Sequence, residues 1–117
     1  MEFLNGQDVR KIQHQAHKKK SPIPLVHTLH IIGEVASGLQ YAHDKTDNLG
    51  NPLNIVHRDI SPENIIITYE GATKIVDFGI AKTTQSTAET FDGFVKGKIG
   101  YMSPEHMTGQ PLDGRSD

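Results

Sequence analysis

No cysteine occurs among the 117 residues, which excludes disulfides and thiolate zinc sites and fits a reducing compartment. Long apolar runs are missing as well. The longest, Ile65 to Ile67 and Ile75 to Val76, fall far short of the roughly 20 residues that a helix needs to cross a bilayer. The start carries no basic, apolar, then small-residue leader, so a cytoplasmic location is expected, with no membrane span in this segment. A basic excess is lacking too: 12 Lys and Arg stand against 14 Asp and Glu, a formal net charge of −2, which argues against a nucleic-acid partner. The local exception, Lys18-Lys19-Lys20 ahead of Ser21-Pro22, reads as a solvated loop. There is no internal repeat and no low-complexity tract, and a composition of 35% hydrophobic and 22% charged residues is that of a globular segment rather than a disordered one.

What is present divides by periodicity. Met1 to Leu4 reads as the end of a buried strand running into Asn5-Gly6. Asp8 is placed to cap a short helix through about Ala16, and the lysines with Pro22 and Pro24 make a connector. Leu25, Leu29, Ile32, Ala36 and Leu39 recur at alternating steps of four and three, which predicts a core helix to about His43 with this stripe buried. Too short for a coiled-coil seam, the stripe is read as core. Asp44 to Pro52 is loop-forming in composition. Asn64 to Thr68 and Thr73 to Val76 are β-branched runs around Tyr69-Glu70-Gly71-Ala72, a hairpin signature. Thr83 to Gly93 is hydroxyl-rich and without pattern.

The chemistry sits at the hairpin's open end. His57-Arg58-Asp59-Ile60-Ser61-Pro62-Glu63-Asn64 precedes its first strand and Asp77-Phe78-Gly79 follows its second. Antiparallel strands joined by a tight turn bring their outer ends together, so Asp59, Asn64 and Asp77 are expected to converge. Two carboxylates and an amide oxygen are hard ligands suited to magnesium, which in turn holds phosphates. Two other patterns carry less. Gly97-Lys98 lacks the hydroxyl and the first glycine of a Walker phosphate loop, since Ile99 and Asp92 stand there. His14 with His17 and His27 with His30 have helix spacing, yet no Glu or Cys stands in register.

These motifs, with Ser103-Pro104-Glu105, resemble the catalytic loop, DFG motif and APE motif of eukaryotic-like protein kinases of the bacterial serine/threonine type. The resemblance covers essentially the whole chain. It implies an α+β, protein-kinase-like fold comprising part of the larger lobe, with helices αD and αE in 7–56, the catalytic loop at 57–64, the hairpin, and an activation segment at 77–105. The hinge would be 1–6, and the smaller lobe would lie outside this stretch, so the segment alone is expected to have little activity. ATP and Mg2+ are the implied cofactors, and a protein serine or threonine hydroxyl is the implied acceptor. Met1 would be the gatekeeper, and Glu2 and Leu4 would offer hinge backbone groups to adenine. Asp8 would reach the ribose or simply cap its helix, and Ile66 would pack beneath the adenine. Asp59 would be the base, with Asn64 and Asp77 on magnesium. His57 would pack with Phe78, and Asp117 would tie a following helix to the catalytic-loop backbone. Arg58 would pair with a phosphate on an activation segment whose candidate acceptors are Thr83, Thr84, Ser86, Thr87 and Thr90.

One departure stands out. Kinases of this type usually carry lysine where Ser61 stands and threonine where Lys98 stands. The resemblance implies that these two side chains meet beside Asp59, so Lys98 is expected to present its ammonium to the γ-phosphate from the opposite side. A competing expectation is a pseudokinase or truncated product that acts through protein contacts alone; keeping Asp59, Asn64 and Asp77 favours catalysis.

Overall fold

A computed structural model describes residues 4–78 and 98–117. Helix α1 (Val9–Lys18) starts where Asp8, in extended backbone, accepts from the Lys11 N–H through its side chain. It ends in a Schellman arrangement: Ser21 N–H bonds Ala16 O and Lys20 N–H bonds His17 O, with Lys20 in the left-handed region at φ 52°. The helix therefore runs two residues past the expected Ala16. Helix α2 (Leu25–His43) has the expected bounds. The described residues hold no helix long and apolar enough to cross a membrane.

The hairpin forms from β2 (Ile65–Thr68) and β3 (Thr73–Ile75), with Gly71 at φ 92° in its turn. A third strand is added that periodicity did not reveal. β1 (Gly6–Asp8) pairs antiparallel with β2, in the order β1-β2-β3, with Gly6 opposite Thr68 and Asp8 opposite Ile66. A three-residue strand is too short for its alternation to be read; its one clear signal is Gly6. A Cβ there would lie 2.3 Å from Ile67 O and 2.8 Å from Thr68 Cα, so only glycine lets the two backbones approach. The strand expected at Met1 to Leu4 falls largely outside the described residues, and Leu4 itself is not in a strand.

α2 packs on β3, where Gly38 makes room for Ile75; a Cβ on Gly38 would stand 3.1 Å from Ile75 Cδ1. Ile75 is paired with Ile65, so these two share the sheet face toward α2. Ile66, with Asp8 opposite it on one side and Lys74 on the other, belongs to the other face. The core of the helix is Val35, Leu39 and Ala42. This corrects the expected stripe: Leu39 is buried, but Leu25, Leu29 and Ile32 are 71%, 59% and 58% exposed, and Ala36 is exposed too. The reason is geometric. The sheet touches only one side of α2, and among the described residues little packs against the side carrying Leu25 to Ala36.

Candidate active site

The segment from His57 to Asn64 is held from three directions, by Val76 and Phe78, by Asp117 and by its own turn. His57 is fully buried, with Nε2 2.8 Å from Val76 O at the end of β3. A carbonyl only accepts, so Nε2 carries the proton, and Nδ1 is left to accept from Asp59 N–H at 3.3 Å. The ring lies 4.6 Å from Phe78, tilted by 57°. Both nitrogens are thus engaged as a neutral imidazole, which gives this histidine a packing and tethering part in the loop.

From below, Asp117 accepts the backbone N–H groups of His57 and Arg58 at 2.8 Å each, and its Oδ2 also meets His43 Nε2 at 2.9 Å. The Asp117 side chain is 1% exposed, so it meets the requirement that a buried carboxylate be hydrogen-bonded on both oxygens. These bonds hold Arg58 in the left-handed region, φ 68°, a conformation that costs a non-glycine residue about 1–2 kcal/mol. The His43 contact had no sequence signal beyond its place at the end of α2.

From the side, the loop closes on itself. Pro62–Asn64 form a 3-10 turn, Asn64 N–H bonds Ser61 O at 2.9 Å, and Asn64 Nδ2 donates to Asp59 O at 2.7 Å. Asn64 O in turn accepts from Val76 N–H at 2.9 Å, one rung beyond the β2–β3 ladder. The structure therefore brings Asp59 and Asn64 to the end of the hairpin where Asp77 follows Val76. Asp77 is exposed and left-handed, φ 58°, which turns the chain sharply as it leaves the sheet.

With Nδ2 committed to Asp59 O, the atom of Asn64 that could ligate a metal is Oδ1, and Asp77 adds an exposed carboxylate. Both are hard oxygens that fit Mg2+, and among the described residues no three His, Cys, Asp or Glu side chains gather into a metal cage. A cation bound by this pair alone would complete its shell with phosphate and water oxygens, which is how magnesium serves a nucleotide.

Lys98 reaches the same corner from outside the loop. Its Nζ lies 2.7 Å from Asp59 Oδ2, with the two side chains 32% and 19% exposed. Ser61 is buried at 4% exposure and its Oγ has no hydrogen-bond partner among the described residues. On the sheet face away from α2, Asp8 and Ile66 stand directly opposite each other and share one face. Asp8 already caps α1, Oδ1 taking Lys11 N–H at 2.7 Å while Oδ2 meets Lys11 Nζ at 3.0 Å. Partial burial pushes its carboxyl up, but the bonds and charge of Lys11 outweigh this and hold it below its usual range. Arg10 and Glu63 form an exposed ion pair at 2.9 Å that the sequence did not announce. Glu2 and the candidate acceptors from Thr83 to Thr90 lie outside the described residues. Of the expected hinge segment 1–6, residues 4–6 are described, with Leu4 half-buried ahead of β1.

The model of the protein kinase domain matches residues 1–117. The chain is 44% identical to the tyrosine-protein kinase MasK of Myxococcus xanthus (strain DK1622), over 100% of the chain and 18% of that protein. It is 36% identical to serine/threonine-protein kinase A of Synechocystis sp., over 100% of the chain and 22% of that protein, and 34% identical to serine/threonine-protein kinase PknB of Mycobacterium leprae, over 100% and 17%. The chain thus spans about a fifth of the length of these relatives. A family match along the whole chain coincides with a loop tied to the end of a hairpin and to a buried aspartate, and the chain belongs to the protein kinase family.

Proposed function

We propose that the protein carrying this chain is an active, ATP- and magnesium-dependent protein kinase that phosphorylates serine or threonine hydroxyls. The carrying observation is the convergence of Asp59 and Asn64, joined at 2.7 Å, at the hairpin end that Asp77 leaves. On this reading α1, α2, the hairpin and the stretch to Asp117 are part of the larger lobe. The hinge is 1–6, running into β1, and 77–105 is the activation segment.

The chain's own residues divide the work. Asp59 receives the proton of the acceptor hydroxyl. Asn64 Oδ1 and the Asp77 carboxylate hold magnesium, which when bound neutralises phosphate charge. Asp8 and Ile66, facing the same side of the sheet, meet the ribose and the adenine underside. The loop's triple anchorage to Val76, Asp117 and its own turn keeps these groups in place, so little reorganisation is needed at the moment of transfer. ATP as phosphoryl donor makes the cytoplasm the natural location.

A second reading concerns the acceptor alone. The relative at 44% identity carries the name of a tyrosine kinase, which favours a phenolic hydroxyl, whereas Pro62-Glu63 and the other named relatives favour an aliphatic one. Incubating the intact protein with labelled ATP, Mg2+ and a protein substrate, then hydrolysing to phosphoamino acids, separates these. Phosphoserine and phosphothreonine are expected. Phosphotyrosine alone selects the second reading, and turnover unchanged by Asp59→Asn refutes the assigned base, whose loss should lower kcat by about 10²–10⁴-fold.

A further inference from the structure

We propose that Lys98 is a catalytic cation: its ammonium contacts the transferring phosphoryl group beside Asp59, standing in for a cation that the 57–64 loop does not place at Ser61. The inference rests on the kinase reading above.

Three observations carry it. Lys98 Nζ touches Asp59 Oδ2 at 2.7 Å while keeping about a third of its side chain accessible, so the ammonium has protons left for a second partner on the open side. Lys98 is also anchored at its backbone, since its O accepts from Tyr101 N–H at 3.0 Å and it starts the turn Ile99–Tyr101. An ammonium on such a base is preorganised rather than recruited. Finally, Ser61, two residues beyond the base, is buried with an Oγ unpartnered among the described residues, a costly state for a hydroxyl. The loop therefore offers a small, neutral side chain two residues beyond the carboxylate that the Lys98 ammonium meets.

The chemistry gives the contact a direction. The acceptor oxygen bonds to the γ-phosphorus as the bond from that phosphorus to the β–γ bridging oxygen breaks. ADP leaves with that electron pair, and the acceptor proton passes to Asp59. Lys98 stays protonated throughout. A cation against a base makes that base a weaker proton acceptor, so a lysine that only paired with Asp59 would work against proton removal. The same ammonium stabilises negative charge on the phosphoryl oxygens, and in phosphoryl transfer that charge, rather than proton removal, dominates the barrier.

The test uses the intact protein with Lys98→Met and the exchange variant Ser61→Lys/Lys98→Thr. Lys98→Met is expected to lower kcat about 100-fold, with KM for ATP within about threefold of the parent. Independently of turnover, it should weaken binding of MgADP with aluminium fluoride, a planar stand-in for the transferring phosphoryl, by about 100-fold while leaving MgADP binding unchanged. The exchange variant should regain at least about tenfold of the lost kcat. A Lys98→Met protein within threefold of the parent, in kcat or in fluoride-complex affinity, overturns the proposal. So does an exchange variant that binds MgADP normally yet turns over no faster than Lys98→Met. If the parent shows no turnover but its fluoride complex responds to Lys98→Met as stated, the kinase reading fails as an activity while the cation assignment stands. If the parent binds neither nucleotide form, both fall.

Discussion

Asp117 and His57 lie 60 residues apart, and the carboxylate of one accepts the backbone N–H of the other at 2.8 Å. The second oxygen takes Arg58 N–H, so a single buried side chain sets the backbone path into Asp59. Replacing it by Asn keeps the shape but turns an NH2 group toward an N–H donor. Asp117→Asn is expected to cost the intact protein about 2–3 kcal/mol in urea unfolding and to lower kcat, because the left-handed Arg58 loses its restraint. Unchanged stability would show that the loop holds its path without this carboxylate.

Gly6→Ala should be costly for a residue with no chemistry of its own. The added Cβ meets backbone atoms of Ile67 and Thr68, which cannot swing aside as a side chain can. A loss of about 1–3 kcal/mol in unfolding is expected, together with weaker nucleotide binding, because β1 carries Asp8 to its place opposite Ile66. Thermal melting and ATP titration of the variant measure both.

Asn64→Asp separates two functions of one side chain. It keeps an oxygen for the metal but replaces the Nδ2 donor to Asp59 O with an acceptor, in a residue only 6% exposed. The variant is expected to lose about 1–3 kcal/mol of stability and much of its turnover while still responding to Mg2+. Asn64→Ala should lose the magnesium response as well. Magnesium titrations of both variants, read beside their melting curves, make the comparison.

Asp113 provides a pH signature apart from the active site. The Arg115 side chain donates to its carboxylate and, with the Arg115 backbone N–H, brings its pKa down from 3.8 to about 2. A carboxyl depressed on folding adds stability above its ordinary value, and that contribution is lost as pH falls from about 4 through about 2. Arg115→Leu is expected to move the Asp113 midpoint up toward 3.8, followed by the carboxyl 13C shift in an NMR titration. A midpoint that stays near 2 would assign the shift to the backbone N–H alone.

Much of the site could be read along the chain because its parts lie within short local units. A β-branched hairpin fixes where its ends go, and His57 to Asn64 and Asp77 are attached directly to those ends, so their convergence follows from period and turn. The α2 stripe is the opposite case. Its bounds follow from local preference, but which face is buried depends on where the sheet lies: Gly38 meets Ile75, Val35, Leu39 and Ala42 are covered, and Leu25, Leu29 and Ile32 are left exposed.

Alone, the sequence determined the family, the helix and hairpin positions, and the residue types able to bind metal and take a proton, since these depend on neighbours a few residues away. Tertiary structure decided the pairing of β1 with β2 and the contact of Asp117 with His43, and it set the distances at which Asp117 meets the loop backbone and Lys98 meets Asp59. Each joins residues tens of positions apart, whose distance is set by how the elements pack and which no period or propensity encodes.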